Sequence, residues 1–356
     1  MTQTEWKDAY ASLRPTYEIY EKKLRDLVIT VLEQAKIDVV QVEGRVKTLE
    51  SFAEKIERKS GKYADPLSDM TDLVGLRIIA YYVEDIDRIA RLLRDEFEVL
   101  EDQSTDKQAE LAPDQFGYTS NHLVVRIGNR SSFPEWRQFS AIAVEFQVRT
   151  TLQHAWAAVS HKLNYKRVEE VPVSLQRRLF RLSALFEIAD EQFSAIKTAI
   201  SELSDQYSEN VKLGQLEIEI DANSIEAYIL TSPKVRIAID VANPEVPVRP
   251  LDPDSPSTTR YRSNLIRVAN YLGARTIEDF DLLVPDKPTT KRLVRAIKEA
   301  YLADKRNDPP SFGPPHRFLA TLLMTAHGVS KELYESVYST GWPEFLEARK
   351  LAEGQT

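Results

Sequence analysis

One stretch constrains this chain more than any other. Residues 141–150 read Ala-Ile-Ala-Val-Glu-Phe-Gln-Val-Arg-Thr, and 151–166 follow without a break as Thr-Leu-Gln-His-Ala-Trp-Ala-Ala-Val-Ser-His-Lys-Leu-Asn-Tyr-Lys. In the first half Ile142, Val144, Phe146 and Val148 alternate with Glu145, Gln147 and Arg149. That period of two predicts a strand with one apolar face and one face bearing a carboxylate, an amide and a guanidinium. A row of polar groups on a strand is ordinarily a solvated face. Here Thr150 closes the strand and a helix starts at once, with Leu152, Trp156, Val159 and Leu163 on its apolar stripe. A strand feeding straight into a helix sets its polar row beside the helix's first turn, where anions and phosphates are often held.

The rest of the chain supplies the surroundings. At 356 residues it has room for two domains, each with its own core. It has no cysteine, which excludes disulfides and thiolate-bound zinc and suits a cytoplasmic protein. The start lacks the basic and apolar regions of a signal peptide. No apolar run approaches the ~20 residues that span a bilayer, so no membrane role is expected. The net charge of −8, from 47 basic and 55 acidic residues, argues against a general coater of nucleic acid. Local basic clusters remain able to grip phosphates.

In chain order, apolar steps of three and four from Trp6 to Leu32 predict helix over 3–36, with a break or second start at Pro15. Residues 37–46 read as a strand. From Thr48 a helix follows, with Ser51, Lys55 and Arg58 or Lys59 on one face, and charge alone would make it a solvated helix laced by Glu50, Glu54 and Glu57. A turn at 69–72 leads into an apolar run to about residue 83, the pattern of a buried strand, with Asp72 and Arg77 as polar exceptions near its entrance. Asp85 is expected to cap a helix through Phe97. A polar loop over 105–115 then ends in Phe116-Gly-Tyr-Thr-Ser-Asn-His122, and a strand follows. Residues 174–212 read as amphipathic helices with Leu175, Leu179, Leu182, Leu185, Phe186, Ala189 and Phe193 inward. Beyond them, 224–230 looks helical, 243–258 looks like a linker rich in Pro, Asp and Ser, and 259–349 is helical in pattern. His316 and His327 stand too far apart in sequence to argue for a metal site.

Glu145, Gln147, Arg149, Thr150, Trp156, Ala157, His161, Tyr165 and Lys166 resemble, at matching spacing, the signature of RelA/SpoT-type nucleotide pyrophosphokinases, which include the small alarmone synthetases. Three more stretches extend the resemblance over residues 1–212. They are Arg45-x-Lys47 with Ser51, Lys55, Arg58 and Lys59; Asp72-x-x-Gly75-x-Arg77; and Gly117-Tyr118-x-Ser120-x-His122.

The resemblance implies an α+β domain over 1–213, a mixed sheet flanked by helices of the nucleotidyltransferase kind, and then a mostly helical domain over 214–356 with a regulatory role. It implies ATP as donor, with Arg45 and Arg77 closing on the adenine and Lys47, Ser51, Lys55 and Arg58 on the phosphates. Asp72 and Glu145 would be the catalytic pair and the magnesium ligands. Tyr118, His122, Gln147 and Arg149 would face the acceptor, with the ring of Tyr118 stacked on its base. In the main branch of the family that acceptor is GTP or GDP. A toxic branch modifies the 3′ end of tRNA, and some of its members carry a fused neutralising domain. A protein trigger on the C-terminal domain and a homo-oligomer belong to the same set of expectations.

The departures from the family pattern all fall on the acceptor side. Asp114 or Gln115, Phe116 and Thr119 stand where many members have lysine, asparagine and arginine, and Ser160 stands where a glutamate precedes the helix histidine. A reading from another class, a non-catalytic nucleotide sensor, is disfavoured because Asp72 and Glu145 are both present. Alarmone hydrolysis is rejected. It needs histidine and aspartate ligands in a preceding domain, and the first histidine here is His122.

Overall fold

A computed structural model describes residues 2–59, 61–106, 120–162, 172–249, 255–303 and 312–354. The chain divides into two compact units, Met1–Lys197 and Thr198–Thr356. The sequence alone suggests a boundary at 213/214, whereas this division falls within one 40-residue helix.

The first unit begins with α1 (Gln3–Gln34), entered through a capping box between Thr2 and Glu5. The helix does not break at Pro15. Proline inside a helix loses one hydrogen bond and costs about 3 kcal/mol. Here Tyr10, on one side of it, and Tyr17, Tyr20 and Leu24, on the other, are all buried in one core, which offsets that cost. There follow β1 (Val39–Val46), α2 (Leu49–Arg58, capped by the Thr48 hydroxyl), the single turn α3 (Pro66–Asp69) and β2 (Val74–Ala80). Next come α4 (Val83–Glu96), the short β3 (Glu98–Val99) and β4 (Thr105–Asp106), β5 (Asn121–Arg126), α5 (Pro134–Arg137), β6 (Val144–Thr150), α6 (Thr151–Lys162) and α7 (Val173–Lys212). Asp85 is not the cap of α4. Tyr82 occupies that place, and Asp85 lies within the first turn, buried and bonded to Arg88 at 2.7 Å.

The strands form one mixed sheet in the order β1-β2-β6-β5-β3, with β4 also on β5. β2 and β6 are parallel, and the other pairs are antiparallel. The apolar face of β6 is as its alternation implies, with Val144, Phe146 and Val148 fully buried among Leu76, Ile78, Ile89 and Leu24. Ile142 precedes the strand and is only partly covered.

The two helices after β6 depart from expectation. Val159 of α6 is exposed, and Leu163 lies outside the described residues. On α7, Leu175, Leu182, Leu185 and Phe193 are exposed, while Leu179, Phe186 and Ala189 are only partly buried. The face of α7 that meets the rest of this unit is largely polar, although Phe186 packs on Trp156 of α6, as expected of both, with ring centres 6.1 Å apart. Ser183 and Asp190 are buried, Ser194 accepts from the Val83 amide, and Lys197 pairs with Glu84 and Asp85.

The second unit is helical: α8 (Ala222–Thr231), α9 (Pro233–Ala242), α10 (Pro256–Tyr271), α11 (Ile277–Leu283), α12 (Lys287–Ala303), α13 (Pro315–His327), α14 (Lys331–Val337) and α15 (Trp342–Glu353). Tyr228, Leu265, Phe280, Val294, Phe318 and Leu322 lie at its core. Part of the expected linker belongs to that core, since Val246 and Val248 are buried and Val248 bridges to Gly313. Neither isolated histidine is free. His316 bonds Glu226 at 2.8 Å, and His327 bonds the Leu283 carbonyl at 2.7 Å. Among the described residues no helix is long and apolar enough to cross a membrane.

Candidate active site

The register of the central strands assembles the site. Arg45 of β1 pairs with Gly75 of β2, and Gly75 pairs with Glu145 of β6. One row along, Glu43 pairs with Arg77, Arg77 with Gln147, and Gln147 with His122 of β5. Partners in register share a face of a sheet, so motifs far apart in sequence form two neighbouring rows on one surface. The polar row of β6 is therefore the middle of a functional face.

Asp72 lies just before β2, where two hollows meet. One is a cleft of 450 Å³ lined by Arg45, Asp72, Gly75, Arg77, Glu145 and Gln147. The other, of 560 Å³, is lined by Lys47, Ser51, Lys55, Arg58 and Lys59, by Glu54 and Glu57, and again by Asp72. Lys47, at the end of β1, is held by the stacked rings of Tyr10 and Phe52 behind it, with the Tyr10 hydroxyl donating to the Lys47 carbonyl at 2.7 Å. α2 then presents Ser51, Lys55 and Arg58 at successive turns. The Nζ groups of Lys47 and Lys55 both donate to Asp72 Oδ2, at 2.7 and 2.8 Å. Burial alone would raise the Asp72 pKa, but the bonds and charges of these lysines outweigh it and hold it below the usual carboxylate value. Burial also pushes Lys47 below the ordinary ammonium value, against the pull of Asp72. Asp72 Oδ1 is buried and has no hydrogen-bond partner among the described residues.

Glu145 sits in a chain of polar contacts. Its Oε1 meets His122 Nδ1 at 2.8 Å, its Oε2 accepts from Gln147 Nε2 at 3.2 Å, and Arg149 donates to Gln147 Oε1. The other ring nitrogen of His122 meets Ser120 Oγ at 2.7 Å. Burial would raise the Glu145 pKa, yet the bond and charge of His122 bring it below its usual value. Arg149 is pushed down to about 10, by burial and then by the nearby charge of Arg77. His122 and Arg149 do not line the donor-side cleft and reach it only through Glu145 and Gln147.

Sequence reasoning missed three participants. Glu43 accepts from Arg77 at 2.8 Å, so Arg77 is tethered beside the cleft rather than closed across it from Arg45. Asp190 accepts from the Thr150 hydroxyl at 2.5 Å, and that hydroxyl in turn accepts the Gln153 amide at the start of α6. Glu21 of α1 lies against Gly44 of β1, where a Cβ would fall 1.6 Å from its Oε1. The Gly before Arg45 could have flagged the last of these contacts; the others leave no local signal. Tyr118, Tyr165 and Lys166 lie outside the described residues, as does the side chain of His161. Among the described residues no three metal-binding side chains cluster. Asp72 and Glu145 line the same cleft.

Residues 44–170 match the family model described as the region found in RelA / SpoT proteins. The GTP pyrophosphokinase YjbM of Bacillus subtilis is 31% identical over 215 residues, spanning 60% of this chain and 98% of that protein. The GTP pyrophosphokinase YwaC of the same organism is 27% identical over 167 residues, 46% of this chain and 75% of that one. Among solved structures, the small alarmone synthetase 1 from Bacillus subtilis is similar at a TM-score of 0.46 and 29% identity, covering 55% of this chain and 99% of that one.

Proposed function

This chain belongs to the RelA/SpoT family of nucleotide pyrophosphokinases, and from that premise we propose that its first unit transfers the pyrophosphoryl group of ATP to the ribose 3′-hydroxyl of GTP or GDP. Pyrophosphoryl transfer of the alarmone-synthetase type is the activity of the family members it matches by name. The observation that carries the proposal is the register that sets Gly75 beside Glu145 and Arg77 beside Gln147, with Asp72 at the edge of the same cleft.

In this reaction the acceptor hydroxyl attacks the β-phosphorus, the bond to the α-phosphate oxygen breaks, and AMP leaves. Such a displacement asks for alignment and for cations near the phosphoryl oxygens more than for covalent help. Lys47, Ser51, Lys55 and Arg58, lining one hollow, supply cations and a hydroxyl for the triphosphate. Arg45 and Arg77 flank the neighbouring cleft and take the adenine. Gln147, His122 and Arg149 continue the row toward the acceptor, where Tyr118 is proposed to stack on the base.

Magnesium fits the carboxylate pair. Asp72 Oδ1 is buried and has no partner among the described residues, and Glu145 opens on the same cleft. Asp72 and Glu145 would hold the ion, which when bound supplies charge that offsets the donor phosphates. A carboxylate held below its usual pKa is a weak proton acceptor, so Glu145 acts mainly as a ligand and as the anchor of His122. All four motifs precede residue 170, and we assign the second unit a regulatory part rather than a chemical one.

The test is incubation of the full chain with γ-labelled ATP and, separately, GTP, GDP or deacylated tRNA. Label should enter GTP or GDP and disappear with Asp72→Asn. Label entering only the tRNA 3′ end would reassign the chain to the toxic branch, and label entering none of them would overturn the proposal.

A further inference from the structure

The second unit carries a hollow of 400 Å³ that the pyrophosphokinase reading does not use. Its walls are aromatic and cationic. Arg260 and Tyr261 come from α10, Tyr301 from the end of α12, Arg317 from α13 and Tyr338 from just beyond α14. The Arg317 guanidinium lies over two rings, 5.8 Å from the centre of Tyr261 and 5.5 Å from that of Tyr338, and Arg260 lies 5.3 Å from Tyr261. Tyr338 is itself fixed, its hydroxyl donating to the Arg317 carbonyl at 3.1 Å and meeting Thr321 Oγ1 at 2.9 Å.

Other arginines of this unit have found partners. Arg262 pairs with Glu226, Arg349 with Glu353, and Arg267 donates to Ser336. Arg260 and Arg317 pair with no carboxylate among the described residues. Of the nearby acidic side chains, Glu335 in the lining pairs with Lys331 at 3.6 Å, and Glu344 lies behind Gly341. On the remaining side the backbone N–H groups of Ser339, Thr340 and Gly341 donate to no acceptor among the described residues.

Two uncompensated guanidiniums and a run of free amides are donors without an anion. Tyr261 and Tyr301 beside them stack on no other ring among the described residues. The volume lies in the range of about 300–1,000 Å³ usual for small-molecule sites. We propose that this hollow binds a nucleoside phosphate, with the phosphate on Arg260, Arg317 and the 339–341 amides and the base against Tyr261 and Tyr301. The inference stands on the second unit alone and does not depend on the chemistry assigned to the first.

Equilibrium dialysis of labelled AMP against the full chain tests it. The wild-type chain should bind two AMP, one in the donor cleft and one here. Arg260→Glu with Arg317→Gln should remove one, weakening that site at least tenfold, while Lys47→Ala with Arg77→Ala should remove the other. Arg260→Glu alone, a change at an exposed position, keeps the test valid if the double variant fails to fold, and should by itself weaken the second site. Inorganic phosphate should displace AMP from this site, and adenosine should bind it at least tenfold more weakly than AMP. A wild-type stoichiometry of one that vanishes with the Lys47 and Arg77 changes would overturn the proposal. So would two undiminished sites in the folded Arg260 and Arg317 variants, or adenosine binding as tightly as AMP.

Discussion

Lys47 and Asp72 form an ion pair of 2.7 Å at the junction of the two hollows, and Lys55 joins it on the same carboxylate oxygen at 2.8 Å. The pair is largely buried, so neither charge is left to water. One carboxylate thus holds two cations proposed for the donor phosphates, while its other oxygen, Oδ1, has no partner among the described residues. Under the proposed function, Asp72 keeps the two lysines in place until a bound triphosphate competes for them.

Asp72→Asn should therefore separate two effects. Transfer should fall at least about 100-fold, the scale of losing one fixed electrostatic group at a reacting centre. Metal-free ATP binding should hold or tighten, because Lys47 and Lys55 lose their competing anion. Turnover within threefold of the parent would show that Asp72 is not part of the reacting site.

Glu43→Gln examines the tether on Arg77. The Glu43–Arg77 pair is partly exposed, and such pairs contribute little stability. If Arg77 must leave Glu43 to meet adenine, the variant should have an ATP KM equal to or lower than the parent, whereas Arg77→Ala should raise it about tenfold. An ATP KM raised as much by Glu43→Gln as by Arg77→Ala would mean that the pair itself is the binding element.

Gly75 lines the cleft floor between Arg45 and Glu145. A Cβ there would meet only the Glu145 carbonyl oxygen, at an ordinary contact of 3.6 Å. Gly75→Ala should leave the thermal midpoint within about 3 °C of the parent, the shift of about 1 kcal/mol in a domain of this size, and should raise the ATP KM severalfold by filling the cleft. A large drop in midpoint would place the need for glycine in folding instead.

Asp190 gives the account its pH dependence. It is 2% exposed, and burial raises its pKa from 3.8 to about 7. A carboxyl raised on folding contributes stability that is complete below 3.8 and is lost as pH climbs through about 7. Asp190→Asn cannot titrate and can still accept from the Thr150 hydroxyl. Its stability relative to the parent should therefore improve steadily between pH 4 and 8, up to a bound of about 4 kcal/mol at about 1.4 kcal/mol per pH unit. Urea unfolding at several pH values measures this, and parallel curves for variant and parent would refute the assignment.

The parts of this molecule that were legible in the sequence are those where local pattern and final environment agree. The alternation of β6, the apolar run of β2 and the start of a helix at Thr48 each reported their own local structure correctly. The helix α7 misled because periodicity tells which residues share a face and not what that face meets. Its docked side carries Ser183, Asp190, Ser194 and Lys197 with Phe186 among them, and Leu175, Leu182 and Leu185 lie exposed elsewhere. The tethers of Arg77 to Glu43 and of Thr150 to Asp190 were invisible for a simpler reason. They join residues 34 and 40 positions apart, and only the fold brings them together.

The most direct test of the central claim is the fate of ATP labelled in its β-phosphate, offered with GDP or GTP to the full chain. Pyrophosphoryl transfer predicts that β and γ phosphates move together, with the β label recovered on the acceptor's 3′ position and AMP released in equal amount. Formation of ADP that keeps the β label would mean that a single phosphate moves, and would contradict the account.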